Sequence, residues 1–195
     1  YATLTEVKDV LELTTTTHDT LLELAVEAAS RAIDTFTGRR FWQDASVTAR
    51  VYTFRPMPDW SYEDRLDIVD DISTSTGLVV KTDDNDDLTY ETTWTIDTHF
   101  KLGPPNANAD SEPWTWIAVH PTGGKVFPTT ENGVQITAKF GWAAVPTVIK
   151  QGCLIQATRL FKRKDAAFGI AGSPDVGSEL RLLARLDPDV ENLVR

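Results

Sequence analysis

Cysteine is nearly absent from this chain: Cys153 is the one thiol among 195 residues. An intrachain disulfide framework is therefore impossible, and so is a metal centre built from several cysteines. Histidine is almost as scarce. His18, His99 and His120 are scattered, and none stands at a metal-ligand spacing from another histidine, cysteine or carboxylate. Long apolar runs are missing too: no stretch approaches the roughly 18 residues of a membrane span. The acidic, amphipathic segment from Tyr1 to Leu13 lacks the pattern of a signal peptide. Positive charge is short, with 19 Lys+Arg against 29 Asp+Glu and a net charge of −10. Binding nucleic acid by phosphate neutralisation needs many basic contacts, so that class is set aside. The one dense basic run, Lys162-Arg163-Lys164, falls at the end of a predicted helix, where cations suit the carbonyl end of the dipole.

What is present is ordinary globular material, 41% hydrophobic and 25% charged, enough for one large domain or two small ones. Its charge is uneven. Residues 1–145 hold 11 basic and 23 acidic side chains, whereas residues 146–195 hold 8 and 6. Periodicity divides the chain into helical, strand-rich and helical zones. Thr3 is placed to cap a first helix with Glu6 reaching back, and Leu4, Val7, Val10 and Leu11 form its apolar face. The threonines from 14 to 17 break it, since β-branched hydroxyl residues favour turns. A second helix is predicted from His18 to Thr37, with Leu22, Ala25, Val26, Ala29, Ile33 and Phe36 as its stripe and Gly38 as its left-handed stop.

From Phe41 to Trp142 the period becomes two. Val47, Ala49, Val51 and Thr53 alternate with polar neighbours, as do Tyr90, Thr92, Trp94 and Ile96, and then Val134, Ile136, Ala138 and Phe140. Residues 66–69, 77–81 and 114–120 are further candidate strands. Asp83-Asp84-Asn85-Asp86-Asp87, Gly103-Pro104-Pro105 and Thr122-Gly123-Gly124 read as turns, so the zone implies an antiparallel sheet or small barrel. Helical spacing returns after Pro146 through Ile149, Cys153, Ala157, Leu160 and Phe161. A Gly/Pro/Ser-rich loop from Phe168 to Gly177 follows. A short last helix opens at Asp187 and Pro188 and carries Val190, Leu193 and Val194; at that length it needs a partner surface. The expected fold class is α+β: a small helical bundle from both chain ends (1–40 and 141–195) with an inserted antiparallel β region (41–140).

Motifs for chemistry are weak. Asp83 to Asp87 begins like a calcium loop, but Leu88 stands where glycine is required and Trp94 where the bidentate glutamate belongs, which excludes an EF-hand and leaves only a looser calcium site. Asx turns explain the run without metal. Thr122-Gly123-Gly124-Lys125 lacks phosphate-loop spacing, and Gly169, Gly172 and Gly177 follow no strand as a dinucleotide site requires. Six tryptophans raise sugar stacking as an alternative function, with Trp60 the best contact and Trp94, Trp114 and Trp116 patterned as core. An enzyme using the acidic loop with His99 or His120 is a more distant reading. The expectation is no catalytic residue, no metal and no cofactor.

The two ends of the chain resemble a known family, the head–tail connector (adaptor or head-completion) proteins of long-tailed bacteriophages. The resemblance rests on Leu4-Thr5-Glu6-Val7-Lys8, on Thr17 to Phe41 (THDTLLELAVEAASRAIDTFTGRRF), and on Phe140 to Gly172 (FGWAAVPTVIKQGCLIQATRLFKRKDAAFGIAG). These cover a little under half the chain and are similar to the actinobacterial-phage branch. The resemblance implies a non-enzymatic virion protein at the head–tail junction, assembled in the host cytoplasm as a ring beneath the portal protein. It further implies a tail, stopper or tail-terminator partner, roughly twelve copies following the portal, and genomic DNA passing through without tight binding. No membrane is involved. The compact members of the family are nearly all helical, so the strand-rich insertion departs from them. Portal or tail docking is expected from the carboxyl-terminal arm through Phe168, Leu180, Arg181, Leu182, Leu183, Arg185, Leu186, Val190 and Leu193, because large apolar residues and arginine commonly carry interface energy.

Overall fold

Thr3 opens the first helix by the reciprocal contact its spacing predicts. Its hydroxyl accepts from the Glu6 N–H at 3.2 Å, and the Glu6 carboxylate accepts from the Thr3 N–H at 2.8 Å. Helix α1 (Leu4–Val10) follows. The computed structural model describes residues 1–56, 65–165, 170–171, 180–181 and 187–194. Within these the chain is α+β, with an antiparallel sheet that curls on itself, and it divides into two compact units: residues 1–41 with 145–195, and residues 42–144.

The first unit is built on α2 (Asp19–Thr37) and α3 (Thr147–Lys162). Gly38 ends α2 at φ 65, and its N–H donates to the Asp34 carbonyl. Leu22, Ala25, Ala29, Ser30 and Ile33 are buried on α2, and Ile149, Gly152, Cys153, Gln156, Ala157 and Phe161 on α3. Small residues let the two backbones approach: Ser30 Oγ lies 3.5 Å from Cys153 Sγ. Two expected core residues differ. Val10 is 56% exposed and Phe36 42%; helical spacing selects a face, whereas the neighbour's length decides how far along it burial extends. A 3₁₀ turn (Arg163–Asp165) ends α3. Of residues 168–177, expected as a loop, only Ile170 and Ala171 are described, and they form β7 (Ile170–Ala171), which pairs antiparallel with β8 (Leu180–Arg181). Last comes α4 (Pro188–Leu193), capped by the Asp187 carboxylate.

Glu6 also ties α1 to α3, since Lys150 Nζ donates to Glu6 Oε1 at 2.9 Å. The Lys150 ammonium first, then the Thr3 N–H and hydroxyl, lower the Glu6 carboxyl from 4.5 to about 2. A carboxyl whose folded pKa is depressed contributes stability above its unfolded value and loses it as pH falls through the folded one. Amide protection in α1, the exchange rate relative to the intrinsic rate at the same pH, is therefore expected to fall as pH drops from about 4.5 towards 2, and Glu6→Gln should flatten that dependence. A wild-type chain whose α1 protection is unchanged across this window would refute the link.

The second unit is a sheet of β1 (Thr48–Tyr52), β2 (Arg65–Thr82), β3 (Thr92–Trp94), β4 (Phe100–Gly103), β5 (Trp114–Val119) and β6 (Val134–Phe140) in the order β1-β6-β2-β5-β4, with β3 on β2. β6 alternates buried and part-buried residues along its whole length, as its spacing predicts. The segments read as two strands, 66–69 and 77–81, are halves of the single β2. Its register shifts between Asp67 and Ile72 and again between Thr74 and Val79, with Asp71 at φ 60 and Gly77 at φ 77. These irregularities bend the strand, so that its first half pairs with β5, its stretch from Ile72 onward with β6, and its last residues also with β3. The concave side closes over Phe54, Ile72, Val80, Trp94, Phe100, Ile117, Phe127, Ile136 and Phe140.

Candidate functional site

The expected docking residues fall into three groups. Phe168, Leu182, Leu183, Arg185 and Leu186 lie outside the described residues. Leu180 and Arg181 form β8, opposite Ala171 and Ile170. Val190 and Leu193 belong to α4, and they differ: Leu193 is 36% exposed, whereas Val190 is completely buried within its own chain. A Cβ on Gly152 would stand 3.3 Å from Val190 Cγ1 and 3.5 Å from Val194 Cγ1, so the bare backbone of α3 at Gly152 is the surface on which α4 rests. Polar contacts fix the same pose. Arg159 Nη1 meets Asp187 Oδ2 at 2.9 Å, and the Asp187 N–H donates to Gln156 Oε1 at 3.2 Å. The partner surface that a six-residue helix needs is thus supplied in cis by α3.

The loop between β2 and β3 is the other feature with a definite build. Asp83 is buried, and its carboxylate accepts from four backbone N–H groups: Oδ1 from Asn85, Asp86 and Asp87, Oδ2 from Leu88 at 2.7 Å. Burial works against the charged form, and these four donors outweigh it, holding the Asp83 carboxyl below its ordinary value. Carboxylate oxygens of Asp83, Asp87 and Glu91 come within 4.8 Å of one another. The aspartates of the run build the turn as Asx chemistry predicts. Leu88, noted in the sequence only as the residue that breaks a calcium loop, is 66% exposed at φ 65. The signal for it was legible: a lone leucine closing a run of aspartates.

The histidines do not converge. His18 packs edge-on against Phe161 with centroids 5.6 Å apart. The Thr95 N–H donates to His99 Nδ1 at 2.8 Å, and His120 Nδ1 lies 3.0 Å from the Thr122 hydroxyl. Among the tryptophans, Trp94 is buried, stacked on Phe127 at 4.8 Å, and donates from Nε1 to Thr82 Oγ1. Trp114 packs against the core, and Trp116 lies over the backbone of Gly103. Trp142 Nε1 donates to Asp71 Oδ2 at 3.1 Å. Trp42 is exposed, and Trp60 lies outside the described residues. Described tryptophans therefore form no exposed row on which a sugar could stack.

Residues 1–91 match the family of phage gp6-like head-tail connector proteins. No curated protein matches this chain in sequence. Two solved structures share its fold. One is a chain from the neck of an empty gene transfer agent particle computed with C6 symmetry, at TM-score 0.53 and 20% identity. The other is a chain from the virion of a native gene transfer agent particle, at TM-score 0.50 and 21% identity. Each likeness covers 88% of this chain and 82% of the other, and so spans helices and sheet together.

Proposed function

We propose that this chain is a structural head–tail connector, a virion protein that joins the capsid to the tail and catalyses nothing. The match of residues 1–91 to the gp6-like connector family carries the reading. The fold shared with a gene transfer agent neck chain supports it from an independent direction and includes the strand-rich unit, into which the family match itself extends as far as residue 91. In this reading the helical unit is the connector domain, of the actinobacterial-phage type. Copies assemble into a ring of roughly twelve beneath the portal, DNA passes through, and assembly takes place in the host cytoplasm. The charge distribution suits a conduit. Residues 42–144 carry 16 acidic and 7 basic side chains, a surface on which phosphates find little to hold them.

Docking to portal or tail falls to Leu180, Arg181 and Leu193 together with Phe168, Leu182, Leu183, Arg185 and Leu186. Val190 serves them indirectly by anchoring α4. The test is the particle mass in solution by light scattering, for the chain alone and mixed with a candidate portal. A ring-sized particle in either sample is expected. A monomer that ignores the portal would overturn the connector reading.

A further inference from the structure

Leu88 presents a large apolar side chain to water from an acidic loop, with Asp86 and Asp87 just before it. Its φ of 65 is one a leucine adopts only under constraint, and the Asp83 carboxylate on its N–H supplies that constraint. The second unit also carries a groove of 230 Å³ walled by Leu78, Val79, Trp94, Ile96 and Phe100. Lys81 stands at its border, in register with the groove-lining Thr93, in a unit of net negative charge. Knob and groove are thus complementary twice, apolar projection to apolar hollow and carboxylates to an ammonium group. We infer that Leu88 of one copy seats in the groove of a second copy, with Asp86 and Asp87 facing its Lys81.

Because knob and groove are different surfaces, the contact is heterologous. Each copy offers its knob to one neighbour and its groove to another, which is the geometry from which closed rings are made. The inference rests on the self-assembly proposed above and adds where the copies touch. It also predicts that added salt weakens the association, since the charges at its border are exposed.

Two variants separate the surfaces. Leu88→Gly removes the knob, and glycine accepts this φ freely, so its melting temperature should be at least that of the wild type. Thr95→Trp fills the groove and leaves the knob. In sedimentation velocity at matched concentration the wild type should assemble, and each variant alone should associate roughly 30-fold more weakly. Mixed, the two should form a 1:1 dimer and stop, because one retains only a groove and the other only a knob. If the wild type assembles and Leu88→Gly assembles equally, this contact is wrong and self-assembly stands. Folded variants that fail to pair when mixed also overturn it. A wild-type chain that is monomeric at every concentration up to its solubility limit overturns this contact, and the connector reading then stands or falls on the mixture with portal.

Discussion

A Gly141→Ala chain is expected to lose the cooperative melting of its sheet unit roughly 10 °C or more below the wild type. Gly141 follows the last residue of β6 at φ 95, and its N–H donates to the carbonyls of both Asp70 and Asp71 at the bend of β2. A Cβ there would stand 1.9 Å from the Trp42 carbonyl oxygen and 2.9 Å from its carbon. Backbone cannot rotate away as a side-chain tip can, so alanine must displace either the Trp42 segment or the bend. The unfavourable φ costs about 1–3 kcal/mol, and the overlap adds a cost of similar size. Gly124→Ala is the control. It too has positive φ, at 63, but open space where the Cβ would go, and so should lose only the conformational part. Calorimetry on both variants checks the argument. Equal shifts would mean that the approach to Trp42 contributes nothing.

Val190→Asp is expected to release α4 while the rest of the chain stays folded. Val190 is fully buried over Gly152, where the methyl groups of Val194 and Ile33 also gather, so a carboxylate placed there enters an apolar contact. Burying an unpaired charge costs several kcal/mol, more than so small a contact can return. Once undocked, six residues cannot hold a helix, because nucleation is unfavourable and isolated helices below about 12 residues are marginal in water. Amide protection from 188 to 193 should vanish, and with it the Arg159–Asp187 contact, while α2 keeps its protection. Gly152→Val should copy the effect from the other side by filling the space that Val190 Cγ1 occupies. Unchanged protection in α4 for both variants would refute the docking role of this pair. A carboxyl-terminal truncation at 170 is consequently more than the removal of an appendage: it strips a core residue from the helical unit.

The elements read most directly from the sequence share a property: their determinants lie within a few residues of one another. Thr3 and Glu6 are three apart, Gly38 immediately follows the helix it stops, and the alternation of Val134, Ile136, Ala138 and Phe140 is visible in seven residues. Local signals misled where burial depended on a distant surface. Val10 and Phe36 continue their helical stripes, and Val47 and Val51 the apolar face expected of the first strand, yet all four are exposed. The polar stretch between Asp70 and Thr76 resembles a connection, whereas it is the bulged middle of β2, where Ile72 pairs with both Trp114 of β5 and Phe140 of β6 and Thr74 with Lys139.

By itself, then, the sequence determined the capping of α1, the stop of α2, the alternating faces of β6 and the acidic charge. These follow from capping, side-chain period and composition, all of which act over short spans or none. The tertiary structure alone decided that α4 rests on Gly152, that Trp42 and Gly141 leave no room for a methyl group, and that Leu88 and the lysine-bordered groove belong to one unit. The first two of these join residues 38 and 99 positions apart, and no local energy selects them. They form when buried apolar area outweighs the entropy of closing the chain between them, a balance struck by the whole fold at once.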